Sequence, residues 1–136
     1  MNANSGSNAN SDFVRLHRED GSHLPLRVRR CDTFLCRLRG LTFRRSLAPD
    51  EGLLFVEAKE SRVATAIHMF FVFFPIGVAW LSADGTVVDK VLAKPFRPYY
   101  APQAPAQYYL EAPPTLLDWV QVGDRLSIEP ERGLKS

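Results

Sequence analysis

With 136 residues, 46% of them hydrophobic and 24% charged, the chain has the length and composition of one ordinary globular domain with a core of its own. A formal net charge of +2 is too small to imply nucleic acid or an anionic membrane as a partner. Cys31 and Cys36, five apart and without a CxxC motif, suggest neither a disulfide framework nor a zinc site; reduced, buried thiols are expected.

The first twelve residues, MNANSGSNANSD, carry neither a basic nor an apolar signal region and are too polar to offset their ordering entropy. They are expected as a disordered tail, with the domain over 13–130, a short tail at 131–136 and a cytoplasmic location. Phe13 to His17, a turn at Glu19-Asp20-Gly21 and Leu24 to Arg30 form a hairpin pattern, with Leu26 and Val28 on one face and Arg27 and Arg29 on the other. Asp32 then stands as the N-cap of a helix running to about Phe43, with Phe34, Leu38 and Leu41 on one face. Gly40 inside it points to a close backbone approach or an early helix end.

Pro49 to Gly52 is a turn, Leu53 to Val56 a short buried strand, and the charged stretch Glu57 to Arg62 a surface connection. Next comes the most apolar run of the chain, Ile67 to Leu81. Pro75, Gly77 and His68 interrupt it, and no cluster of Lys or Arg flanks both ends, so it reads as two buried strands, Ala66 to Phe74 and Ile76 to Leu81, rather than a membrane span. Ala83-Asp84-Gly85 turns the chain into a strand from Thr86 to Leu92, and the proline-rich 95–105 is a loop carrying Tyr99 and Tyr100. Gln107 to Glu111 resumes a strand, Pro113-Pro114 opens a short helix to about Trp119, and Gly123-Asp124 leads into a last strand, Arg125 to Glu129. The sum is a mostly β (α+β) domain: a compact antiparallel, barrel-like sheet of about seven or eight short strands with two short helices.

Several segments in this order resemble the DUF192 (UPF0127) family: Arg37-Leu38-Arg39-Gly40-Leu41-Thr42-Phe43-Arg44, Gly52 to Phe55, Met69, Pro75, Asp84-Gly85, Tyr109-Leu110-Glu111 and Val122-Gly123-Asp124. The resemblance spans roughly residues 24 to 129 and implies a small domain without an established activity. The chain departs from the family pattern in the central run. Phe70-Phe71-Val72 stands where relatives show Lys-Asn-Thr, and Gly77 where they show an acid. If those groups form a polar site in relatives, it is missing here.

No catalytic, nucleotide or metal motif is present: His17, His23 and His68 stand apart, and GxSxG, GxGxxG and Walker sequences are absent. No catalytic residue, metal or cofactor is therefore assigned. The candidate structural or pocket charges are Arg39, Arg44, Glu111 and Asp124, read first as an internal ion-pair set; His68, Tyr99 and Tyr100 are candidates for a pocket lip. The leading expectation is a non-enzymatic module that binds a small molecule or a protein, with no membrane partner. An enzyme with its site under the Tyr99-Tyr100 loop is the alternative, as is weak nucleic-acid binding through the basic segment Arg27 to Arg45.

Overall fold

The computed structural model describes residues 13–33, 36, 40–42 and 44–131. Among these residues seven strands form one sheet: β1 (Phe13–His17), β2 (Arg27–Cys31), β3 (Glu51–Ser61), β4 (Ile76–Leu81), β5 (Val87–Ala93), β6 (Ala106–Ala112) and β7 (Ser127–Pro130). Their order across the sheet is β5-β4-β6-β3-β2-β1-β7. A single helical turn, α1 (Leu116–Trp119), follows β6.

The second half of the apolar run is the strand the sequence predicts. β4 is buried at all six positions because β5 and β6 flank it and both of its faces are covered. Ile76, Val78 and Trp80 face a cluster containing Phe55, Met69, Val72 and Tyr109. Ala79 and Leu81 face the other way, toward Leu16, Leu54, Leu110 and Leu116. The Trp80 indole N–H donates to the Thr65 carbonyl at 2.7 Å, which satisfies the one polar group of the largest core side chain. At Gly77 a Cβ would lie 3.1 Å from the Pro113 carbonyl oxygen and 3.2 Å from Leu116 Cβ, so the missing side chain lets the start of α1 seat directly on β4.

The first half of the run is not a strand. From Ala66 to Pro75 the chain makes only an isolated bridge, Ile67 to Tyr100, and turns at Phe70-Phe71. Phe71 holds a left-handed φ of 60°, and Val72 N–H donates to the Met69 carbonyl at 3.2 Å. The turn sends Met69 and Val72 inward and leaves Phe70, Phe71 and Phe73 about half exposed. His68, in the segment expected as a buried strand, is exposed as well.

Four further expectations are corrected. β2 and β3 run parallel, pairing from Arg27–Glu51 to Cys31–Phe55, because the 32–50 connection carries the chain back to the same end of the sheet. β3 continues through the charged stretch to Ser61, with Ala58 to Glu60 exposed. The sheet is not closed by strand pairing among the described residues: β5 and β7 remain its edges, and the segments before them meet at the bridge between Thr86 and Arg125 and at backbone bonds between Val87 and Gly123-Asp124. Finally, Cys31 and Cys36 form a disulfide rather than free thiols, with Cα atoms 5.5 Å apart, within the span such a bond accommodates.

The helix expected from Asp32 to Phe43 lies largely outside the described residues. Within them, Thr33 rather than Asp32 takes the capping role: its Oγ1 accepts the Cys36 N–H at 3.1 Å, while Asp32 pairs with Arg30. Gly40 has a φ of 46° and donates its N–H to the Cys36 carbonyl, the geometry of a helix end. The C-terminal helix is shorter than expected, since 114–115 form a turn ahead of α1. No helix among the described residues is long and apolar enough to cross a membrane.

Gly85 makes the bridge between the sheet edges. Its φ is +90°, a Cβ there would lie 2.1 Å from the Leu126 carbonyl oxygen, and its own carbonyl accepts the Leu126 N–H at 2.9 Å. Gly21 has a similar φ of +91° with nothing within 4 Å. Gly85→Ala is expected to cost ~3 kcal/mol or more, and Gly21→Ala only the ~1–2 kcal/mol of left-handed backbone strain, in urea denaturation. Equal losses would show that the Leu126 backbone yields freely.

Candidate functional site: a cavity at Glu111

Glu111 lies in the middle of the sheet. β6 pairs with β3 on one side and β4 on the other, which sets Glu111 between Leu53 and Val78. Strand alternation places it on the same face as Tyr109, and that face is covered by Leu41 and by the turn that carries Met69 and Val72. Glu111 is 8% exposed, and with Thr65 it is one of two polar or charged residues buried among the described residues.

A cavity of about 150 Å³ opens above it. Phe55, Ile67, Met69, Val72 and Tyr109 give it apolar walls, and Thr42, His68 and Glu111 supply polar groups. Phe55 and Tyr109 stack with ring centroids 4.6 Å apart, which holds one wall rigid. Among the described residues no ion pair forms at the Glu111 carboxyl, and its oxygens are open to the cavity rather than sealed off, since no fully buried side-chain oxygen there lacks a hydrogen-bond partner. Burial among apolar neighbours therefore acts without compensation, and pushes its pKa up to about 8 from an ordinary 4.5. At neutral pH the group is mostly a carboxylic acid, with one O–H to donate and a carbonyl oxygen to accept.

The other sequence-predicted charges are elsewhere. Arg44 makes a two-pronged pair with Glu51, at 2.6 and 2.9 Å, which holds the Glu51 carboxyl below its ordinary range. Asp124 accepts the Gln121 N–H at 2.8 Å and so closes its own turn. Arg39 lies outside the described residues. The internal ion-pair set is therefore not assembled from Arg44, Glu111 and Asp124. Of the lip candidates, His68 borders the cavity, while Tyr99 is 63% exposed and Tyr100 uses its hydroxyl to accept the Lys94 N–H; neither tyrosine lines the cavity.

The basic segment lines a second, wider groove of about 730 Å³ with Arg27, Arg29, Arg30 and Arg44. Its cations are answered locally. Arg30 pairs with Asp32, Arg44 with Glu51, and the Arg27 guanidinium sits 4.2 Å from the centre of the Phe13 ring. Sequence reasoning missed Glu51, although its place seven residues after Arg44, across a Pro49-Asp50 turn, was a usable signal.

The DUF192 family model, described as "Uncharacterized ACR", matches residues 15–128. The chain belongs to the DUF192 family. It is 37% identical over 108 residues to a UPF0127 protein of Pyrococcus furiosus, covering 78% of this chain and 90% of that protein. A UPF0127 protein of Thermococcus kodakarensis is 40% identical over 106 residues, covering 76% of this chain and 66% of that protein. Among solved structures, a proposed transcription regulator from Sinorhizobium meliloti 1021 superposes with a TM-score of 0.72 and 28% identity over 85% of this chain and 92% of that one. A protein of unknown function from Novosphingobium aromaticivorans shares the fold, with a TM-score of 0.71 at 20% identity.

The two places where this DUF192 chain departs from the family pattern fall on opposite sides of the sheet. Val72 borders the Glu111 cavity, Phe70 and Phe71 turn outward, and Gly77 sits under α1 on the far face. A polar site drawing on all these positions is not one the present fold brings together.

The raised pKa makes a signed prediction. Below about pH 4.5 Glu111 is protonated whether folded or not. Between about 4.5 and 8 the unfolded chain has lost the proton and the folded chain keeps it, so stability falls as pH rises. Urea midpoints of the wild type measured against Glu111→Gln over this window should diverge by up to about 1.4 kcal/mol per pH unit, the glutamine variant holding the flatter profile. Parallel profiles would mean that the carboxyl is already ionised in the folded state.

Proposed function

We propose that this DUF192 domain is a non-enzymatic small-ligand-binding module and that the cavity at Glu111 is its site. One observation carries the reading: Glu111, only 8% exposed as a residue, borders a cavity with its carboxyl, and no ion pair engages that carboxyl among the described residues. A ligand that meets this carboxyl makes its hydrogen bond away from bulk water, where such a bond is electrostatically stronger. The ligand class follows from the lining. It is compact and uncharged, with a carbonyl or amide oxygen to accept the Glu111 O–H and an apolar flank to meet Met69 and Val72.

The enzyme alternative draws on the same carboxyl, because His68 borders the same cavity as a second titratable group. Against it, the His68 ring is exposed and its Nδ1 accepts the Phe70 N–H at 3.2 Å, which leaves it occupied as a structural acceptor. Cytoplasmic location finds no support in the cysteines, since a disulfide is ordinarily kept in oxidising compartments.

Met69 provides a clean probe, since the chain holds only two methionines, Met1 and Met69. With methyl-labelled methionine, small uncharged amides and ketones are expected to shift the Met69 methyl resonance in the wild type. They should leave it unmoved in Val72→Phe, where the larger ring occupies the cavity. A Met69 signal that ignores every such compound, while the protein stays folded, would remove the ligand-binding reading.

A further inference from the structure

Six of the eight exposed large hydrophobic side chains among the described residues fall on two loops, 62–75 and 94–105: Val63, Phe70, Phe71, Phe73, Phe96 and Tyr99. The loops are tied to each other by four backbone bonds, Ile67 with Tyr100 in both directions, Met69 N–H to the Arg97 carbonyl and Phe96 N–H to the Met69 carbonyl. These bonds join them into one continuous surface. Phe96 meets Phe71 edge-on at 6.2 Å and Phe73 at 5.6 Å between ring centroids.

The backbone is spent on this arrangement. Phe71 and Phe96 are the two non-glycine residues with positive φ among the described residues, at 60° and 65°, a conformation unfavourable for bulky side chains. Strain of this kind gathers where a surface has a task. The charge is one-sided as well. The two loops contain Arg62, Lys94 and Arg97 and no Asp or Glu. Asp89, the carboxylate bonded to the second loop, is engaged by the Gln103 N–H at 3.0 Å.

We propose that loops 62–75 and 94–105 form a docking surface for an anionic lipid bilayer, with Phe71, Phe73 and Phe96 entering the interface and Lys94, Arg97 and Arg62 facing the headgroups. Aromatic rings prefer the depth between acyl chain and headgroup, and cations beside them are drawn to anionic lipid. This is peripheral attachment by loop tips, which needs no spanning helix, and it goes beyond the ligand-binding reading without depending on it. A second copy or a single-stranded nucleic acid would use the same rings, but one-sided positive charge opposes self-association, and the arginine-rich groove is a separate surface lined by other residues.

The test is co-sedimentation of the full chain with sucrose-loaded vesicles, either pure phosphatidylcholine or a mixture with roughly one part in three of phosphatidylserine. The wild type should partition onto the mixed vesicles and far less onto the neutral ones. Arg97→Gln should weaken this roughly fivefold. Phe71→Asn with Phe96→Asn should weaken it roughly tenfold or more, because asparagine tolerates the left-handed backbone and leaves the fold intact. Phe73→Ser serves as an independent variant at an ordinary backbone position, and unchanged urea midpoints confirm that each variant is folded. No sedimentation of the wild type, or sedimentation indifferent to these substitutions, overturns the proposal. Dimerisation or oligouridylate binding that needs the same phenylalanines, without vesicle binding, overturns it too and reassigns the surface.

Discussion

β4 has no exposed position, and the rest of the structure follows from having to cover it twice. On one face the cover is α1 together with the side chains of β1 and β6, admitted to close range by the bare backbone of Gly77. On the other it is Leu41, Trp80's neighbours and the inward residues of the 67–72 turn. A strand buried on both sides must be apolar throughout, so the next strand over, β6, is where a polar group in the same layer becomes conspicuous. Glu111 is that group. It is central in the sheet, flanked by Leu53 and Val78, and it is tolerated because a cavity rather than packed hydrocarbon lies above its carboxyl.

The two surfaces of the 67–75 turn link the core to the outside. Met69 and Val72 serve the cavity and the core, whereas Phe70, Phe71 and Phe73 on the same few residues serve the exterior. Both sides share one backbone, held by its bonds to Arg97 and Tyr100. In a domain of this size, where a few kcal/mol separate folded from unfolded, such a turn joins the Glu111 cavity to a surface patch with little intervening material.

How much of this is legible in the sequence depends on the residue. β4 declares itself by six consecutive buried-type residues before the Ala83-Asp84-Gly85 turn, and the 13–31 hairpin by the alternation of Leu26 and Val28 with arginines. The run before Pro75 does not, because composition cannot tell a phenylalanine that fills a core from one held outside by a left-handed turn. Nothing local announces that β2 and β3 are parallel, since a crossover is specified by what covers it and not by its own residues. The disulfide was hidden for a similar reason: spacing of five fits no framework, and only the placing of a strand end beside a helical turn brings Cys31 and Cys36 into range. Glu111 stood out by its place in a family segment, but its significance is a property of burial, which one sequence does not display.

The account rests most heavily on a neutral carboxyl at Glu111, which no ion pair engages among the described residues. Its carboxyl carbon can be followed directly by 13C NMR in glutamate-labelled protein, with Glu111→Gln to assign the signal. The account predicts a midpoint near 8, far above the other glutamates, moving when a small carbonyl compound enters the cavity. A Glu111 resonance that titrates in the ordinary carboxylate range, near 4.5, would contradict it.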